Sequence, residues 1–467
     1  MELNIFYFHI KIMRTYPIRE IILRARYGRR AIYPFLSETS RFSIYGAQFV
    51  KRYYDPLEDI IILPPQFTPL RLKKASELIS REPTFHDVDT KGKIGGFSVS
   101  FPLVQASMGS QEDWNKVSCF SARACAEFGI IYGIGENVSL TWGYDKRVSS
   151  SQPCFLNRVL TYLENCKELG GLVIQQNEEE AHGELWNRVY SDKRLDQYIQ
   201  DGKIAFEIKG GQGAKPGLGG EKIVDRETAK KLKQRGYLIY PDPDLIKAKY
   251  YERHSSPDIF TKEILRNRIR LLKNNYPRIK IWLKTSGYRD LENVIKVALK
   301  EKVDCIVIDG KEGGTGMAPI ASLKYLGLPV IACLKIIRKF YKEDISLVIS
   351  GGLYDGSHIV KCLALGAAGI AMGRPFLIAC YAYKFAEYFL EKELYKSKVI
   401  GKIGRVMFKP NEKSIEFVKN FLESLKIETQ LLTSALGKYN LKDLGKEDLG
   451  SLKREVSEAL GINYILA

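Results

Sequence analysis

The sequence predicts an α/β fold: a (β/α)8 TIM barrel with a helical N-terminal extension and a helical C-terminal tail. Three observations point there. From about residue 90 onward, short apolar runs alternate with helical ones, as in a parallel sheet buried on both faces. Polar and glycine residues gather just after these runs, at Thr285-Ser286-Gly287, Gly310–Gly316, Gly351-Gly352 and Gly373-Arg374, where a barrel carries its active-site loops. A chain of 467 residues holds one barrel of roughly 250–300 residues with terminal additions. An open doubly wound sheet is the alternative.

In chain order, residues 1–85 form a basic, mainly helical extension. Lys11–Arg30 carries seven basic residues and one acid, Glu20, interleaved with Ile, Leu and Tyr. The expected element is a helix whose arginine stems pack on the body while their heads stay in water. Contact with an acidic membrane surface or with RNA, helped by Tyr16, Tyr27 and Tyr33, is the competing reading. Pro56, Pro64, Pro65 and Pro69 then mark a boundary.

Residues 86–390 form the barrel. Its strands are expected at 280–284, 303–309, 347–350 and 368–372, with helices at 290–300 and 358–365. Residues 391–467 form the tail, in which Ser414–Leu425 is amphipathic.

Composition narrows the function class. Lys and Arg number 72 against 54 Asp and Glu, a net charge of +18, and 45% of residues are hydrophobic. Disordered, collagenous and coiled-coil proteins are excluded, and an anionic ligand or partner is favoured. The eight cysteines contain no CxxC pair, so buried thiols in a reducing, cytoplasmic setting are expected rather than disulfides or zinc. The apolar run at residues 5–8 is too short for a signal core, and no stretch approaches the ~20 residues of a membrane span.

The candidate chemistry sits in the loops. Gly351-Gly352 and Gly373-Arg374 follow the last two predicted strands, where glycine lets backbone N–H groups approach a phosphate and Arg374 adds charge. Asp309, Gly313 and Gly314 belong to a glycine-dense loop suited to a flat ligand. Asp309 either accepts hydrogen bonds from that ligand or caps the next helix. Lys284 ends an apolar strand, so its ammonium is expected to point into the barrel mouth and stabilise negative charge there. Residues 207–221 hold six glycines with Lys209, Gln212 and Lys215, and read as a mobile cationic loop.

These elements resemble a known family. Gln212-Gly-Ala-Lys-Pro-Gly217 with Gly219-Gly220, Asp309-Gly with Gly313-Gly-Thr-Gly316, Gly351-Gly352 and Gly373 stand in the order and spacing of the FMN-binding synthase domain of glutamate synthases. Ser255-Ser-Pro-Asp258-Ile-Phe is similar to that family's His-Asp-Ile-Tyr region. The resemblance implies a flavoprotein oxidoreductase of the CH–NH2 class, active in glutamate biosynthesis. It implies FMN as cofactor and reduction of 2-iminoglutarate, formed from 2-oxoglutarate and ammonia, to L-glutamate. Carried over by position, Ser107, Met108 and Gly109 would lie by the flavin, Lys284 by its pyrimidine side, and Gly351, Gly352, Gly373 and Arg374 by its phosphate. Glu136 would stand near the reacting carbon as a catalytic residue with Lys284. Lys209, Gln212, Lys215 and Arg235 would bind substrate.

The sequence also departs from the family. No cysteine follows Cys380, so the family's 3Fe–4S cluster is not expected, and none precedes Cys119, so a glutaminase nucleophile is not expected either. The first-strand loop is shortened to Met108-Gly-Ser110, and Glu221 replaces a usual Gln, adding a charge that repels a dicarboxylate. Ammonia and electrons are then expected from separate subunits or small donors, in a chain free to oligomerise and without a nucleic-acid partner. The alternatives are another FMN-dependent amino-acid or hydroxy-acid oxidoreductase, or a non-catalytic anion-binding scaffold.

Overall fold

The computed structural model describes residues 16–33, 53–146, 152–178, 180–314, 317–383 and 410–466. Eight strands close into a barrel: β1 Leu103–Met108, β2 Ile131–Ile134, β3 Gly171–Gln176, β4 Ile204–Lys209, β5 Lys280–Ser286, β6 Cys305–Asp309, β7 Ser346–Ser350 and β8 Gly369–Met372. Every neighbouring pair is parallel, and β8 closes on β1. The closed parallel barrel matches the expected fold and excludes the open sheet.

Alternation along each strand sorts side chains between two cores. In β6, Ile306 and Ile308 face the surrounding helices, while Cys305 and Val307 join Val173, Ala205, Trp282 and Val348 inside the barrel. Both faces are dry, which is why the strands read as unbroken apolar runs. A hairpin of Gly92–Ile94 and Phe97–Val99 plugs the amino end. Ile94, Phe97 and Val99 join the interior cluster, and the Trp282 indole donates to Gly95 O at 3.1 Å.

Two additions shape the open end. Between β4 and β5 an excursion forms an antiparallel sheet of Lys222–Val224, Tyr251–His254 and Leu238–Tyr240, with Tyr251–His254 in the middle. The helix Arg226–Gln234 covers one face, packing Ala229 against Val224, Ile239 and Tyr251. At the chain ends, helix Ile18–Tyr27 packs on helices Lys413–Ala435 and Arg374–Cys380. Arg19, Arg29 and Arg30 keep their heads in water as expected. Arg24 does not: it is buried between Glu20 and Glu428. Lys11 and Arg14 of the basic segment, Thr315 and Gly316 of the glycine loop, and the 390/391 boundary lie outside the described residues.

The tail is not helical throughout. Strand Leu449–Ser451 pairs with Ile61–Ile62 of the extension and with Asn463–Tyr464, so extension and tail share one small sheet. All eight cysteines are free, six of them buried. Among the described residues, no helix is long and apolar enough to cross a membrane.

Candidate active site at the carboxyl end of the barrel

Continuing the inward register to the carboxyl end replaces apolar residues with a polar layer: Gln175 of β3, Glu207 and Lys209 of β4, Lys284 of β5, Asp309 of β6 and Ser350 of β7. The layer satisfies itself. Lys284 Nζ lies 3.5 Å from Asp309 Oδ2, and Glu207 Oε2 accepts from Ser107 Oγ at 2.8 Å and from Gln175 Nε2 at 2.5 Å. Burial works against the Lys284 ammonium, but Asp309, Glu207 and Glu136 together outweigh it and raise its pKa, so it stays charged. Burial pushes the Glu207 carboxyl up, against the pull of Lys284. Asp309 therefore serves Lys284 and does not cap the next helix, which starts after Pro319.

Above this layer opens a cavity of about 880 Å³. Its floor is Lys284 and Asp309, with Ser107, Met108 and Gly109 at the end of β1. At one end lie Gly351, Gly352, Gly373 and Arg374, and Gly313 and Gly314 form a side wall. Gly351 and Gly352 have φ of +125° and +71°, and a Cβ on Gly351 would stand 2.9 Å from Val330. Only glycine turns the chain here while presenting its backbone to the cavity. Helix Gly356–Ala364 offers no competing anion site, because its first amides are taken: Glu428 accepts from Gly356 N at 2.6 Å and Asp355 from His358 N at 3.1 Å. The Arg374 guanidinium lies 4.6 Å from the centre of the Tyr16 ring, and Tyr16 also lines the cavity.

The other end is cationic. Gln212, Lys215 and Arg235 line it with Glu136. Lys209 is the one predicted site residue that does not line the cavity. It ends β4 rather than riding a loop, and its ammonium pairs with Glu136. Burial raises the Glu136 pKa, but Lys209 and Lys215 overcome it and bring the carboxyl down to about 2. Lys215 moves the other way. Burial first, then the Lys209 charge, bring its ammonium down to about 8, with Glu136 and Asp258 opposing. Nearby Glu180 is fully buried, and its carboxyl rises to about 8, chiefly from burial, with the Glu136 charge adding to it.

The segment expected to be a mobile loop is packed instead. Ala214 and Lys215 are buried, Ser286 Oγ donates to Gly213 O at 2.8 Å, and a Cβ on Gly213 would fall 1.7 Å from Gly313 O. Its glycines serve close backbone approach, which the composition of the loop did not distinguish from flexibility. Glu221 turns to His254 Nδ1, so its carboxylate is engaged by an imidazole rather than facing the cavity alone. Sequence reasoning missed Tyr16, Glu207 and Arg253. Glu207 had a signal, a carboxylate inside the apolar run Ile-Ala-Phe-Glu-Ile. Tyr16 and Arg253 had none, since each reaches the cavity from a separate unit.

Comparison with known proteins agrees with this fold. A family model described as a conserved region in glutamate synthase matches residues 194–438. A glutamate synthase large subunit-like protein of Rhizobium meliloti is 27% identical over 315 residues, covering 60% of this chain and 67% of that protein. An archaeal glutamate synthase (NADPH) of Methanocaldococcus jannaschii is 30% identical over 190 residues, covering 39% of this chain and 36% of its own length. The chain thus spans about a third of that archaeal relative. Among solved structures, a flavocytochrome b2 variant with pyruvate bound superposes with a TM-score of 0.50 at 16% identity, over 96% of this chain and 87% of that one. An (S)-mandelate dehydrogenase chimera does so with a TM-score of 0.50 at 14% identity, over 93% of this chain and 99% of its own. These two likenesses concern the fold alone. With more than half its length matched by the family model, the chain belongs to the glutamate synthase family.

Proposed function

We propose that the cavity binds FMN and that the protein is a glutamate synthase-type oxidoreductase, reducing 2-iminoglutarate, formed from 2-oxoglutarate and ammonia, to L-glutamate. One observation carries this reading: a single cavity joins a glycine-lined anion end, a charged Lys284–Asp309 floor and a cationic end built on Lys215. The residues fit the cofactor. The backbone at Gly351, Gly352 and Gly373, with the Arg374 guanidinium, suits a phosphate, and the permanent charge of Lys284 suits the electron-rich part of a reduced ring. Bound reduced FMN supplies the hydride.

The protein's own groups do the rest. Gln212, Lys215 and Arg235 bind and orient the acidic substrate. Glu136, kept ionised by Lys209 and Lys215, favours the protonated, cationic form of the imine, which is the better hydride acceptor. The packed 210–220 segment limits access of water. The barrel domain, 86–390, carries this site, and Tyr16 of the 1–85 extension adds to its lining. A separate ammonia-supplying or electron-donor subunit is the partner this reading calls for.

The absorption spectrum of the purified protein tests the cofactor. A flavin spectrum is expected, and heat-released FMN identified by mass. Anaerobically reduced protein should reoxidise on adding 2-oxoglutarate with ammonium, with glutamate formed. Protein that stays colourless after incubation with FMN overturns the proposal. Flavin reduced by a 2-hydroxy acid but not reoxidised by 2-oxoglutarate with ammonium would move the assignment to a hydroxy-acid oxidoreductase.

A further inference from the structure

The excursion between β4 and β5 delivers a cation to the cavity that no loop motif announces. Arg253 lies on its central strand, Tyr251–His254, and is only 6% exposed, yet it lines the cavity beside Tyr237 of the same unit. Its guanidinium is held from three sides. Nη1 donates to Gly220 O at 3.2 Å and to Ser255 Oγ, and the group lies 4.4 Å from the centre of the Tyr237 ring. A Cβ on Gly220 would stand 3.0 Å from Nη1, so the glycine segment that carries Lys215 also makes room for Arg253. The Arg253 charge reaches Lys215, where it helps destabilise the ammonium. Arg253 therefore joins Lys215 and Arg235 at the cavity, and beside the compact Lys215 ammonium it offers a planar fork of the kind that fits a carboxylate with two parallel hydrogen bonds. Because the fork is already stacked and tethered, little side-chain freedom is lost when a carboxylate arrives.

We infer that Arg253 is a specificity-determining residue that receives the distal carboxylate of a 2-oxo dicarboxylic acid, so that the site selects dicarboxylic over monocarboxylic 2-oxo acids. This rests on the function proposed above and adds to it the residue that sets substrate class. The excursion then has a purpose beyond covering the barrel mouth: it holds the arginine opposite the glycine segment.

Binding to the oxidised, flavin-loaded protein tests the inference. Calorimetric titrations with 2-oxoglutarate and with 2-oxopentanoate, which has the same carbon chain without the distal carboxylate, are compared for the wild type, Arg253→Gln and Arg253→Lys. The wild type is expected to prefer 2-oxoglutarate by about tenfold or more. Arg253→Gln should lose that preference by weakening 2-oxoglutarate alone, with flavin content unchanged, and Arg253→Lys should recover part of it. An unchanged preference in either flavin-loaded variant, or equal weakening of both acids, overturns the inference and leaves the proposed function standing. A flavin-loaded wild type that binds neither acid overturns the proposed function and the inference with it.

Discussion

Arg24 on the first described helix and Glu428 on the long C-terminal helix form a two-pronged ion pair, with Nη1 to Oε2 at 2.8 Å and Nη2 to Oε1 at 2.9 Å. Glu428 also accepts from Gly356 N, at the start of the helix that follows Gly351 and Gly352. One carboxylate thus ties the two chain ends to the element behind the anion end of the cavity. Glu428→Ala leaves a buried guanidinium short of a partner and should cost about 3–5 kcal/mol in urea unfolding. A midpoint unchanged from the wild type would show that the pair contributes nothing.

Lys284 is a buried cation that acts on two buried acids, Asp309 and Glu207. Lys284→Met should lower the thermal midpoint and abolish flavin retention, read as the flavin-to-protein absorbance ratio. Adding Asp309→Asn should restore part of the midpoint, because it removes one uncompensated charge, without restoring the flavin.

Lys215 carries a pH prediction. With its ammonium brought down to about 8 by burial and Lys209, it is protonated at pH 7 and loses its charge as pH rises through that value. Affinity for 2-oxoglutarate should fall above pH 8 in the wild type. Lys215→Gln should bind about tenfold or more weakly at pH 7 and show a flatter profile from pH 7 to 9.

Glu180 carries one for stability. Its carboxyl keeps its proton in the folded state up to about pH 8, while the unfolded chain loses it from about pH 4.5. The folded state is therefore penalised as pH rises between those values, by a total on the order of 5 kcal/mol, and the penalty is constant above them. In Glu180→Gln the fall in thermal midpoint from pH 5 to pH 9 should be smaller than in the wild type. Parallel profiles would contradict it.

Gly213→Ala would place a methyl 1.7 Å from Gly313 O at a φ of +35°. The glycine segment should detach from the β6 loop, weakening both flavin and 2-oxoglutarate binding. Limited proteolysis within 210–220 should become faster than in the wild type.

Much of this was legible in the chain itself. The apolar runs at 280–284 and 347–350 carried the barrel because both of their faces are dry, and Gly351-Gly352 carried the turn at one end of the cavity because few residues besides glycine tolerate φ of +125° and +71°. The glycines of 210–220 misled, since close backbone approach and flexibility demand the same residue. Arg24 misled as well, because a basic helix pattern does not reveal that Glu428 waits on another helix.

The amino-acid sequence alone determined the barrel, the cationic and glycine-rich character of its mouth, and the family to which the chain belongs, because those follow from local periodicity and from motifs contiguous in the chain. Tertiary structure alone decided which charges meet. Lys209 is matched to Glu136, Glu221 to His254 and Arg24 to Glu428, and Arg253 and Tyr16 are brought to the cavity from an excursion and an extension. The physical reason is that an ion pair depends on separation in space and on burial, and neither is written in the spacing of residues along a chain.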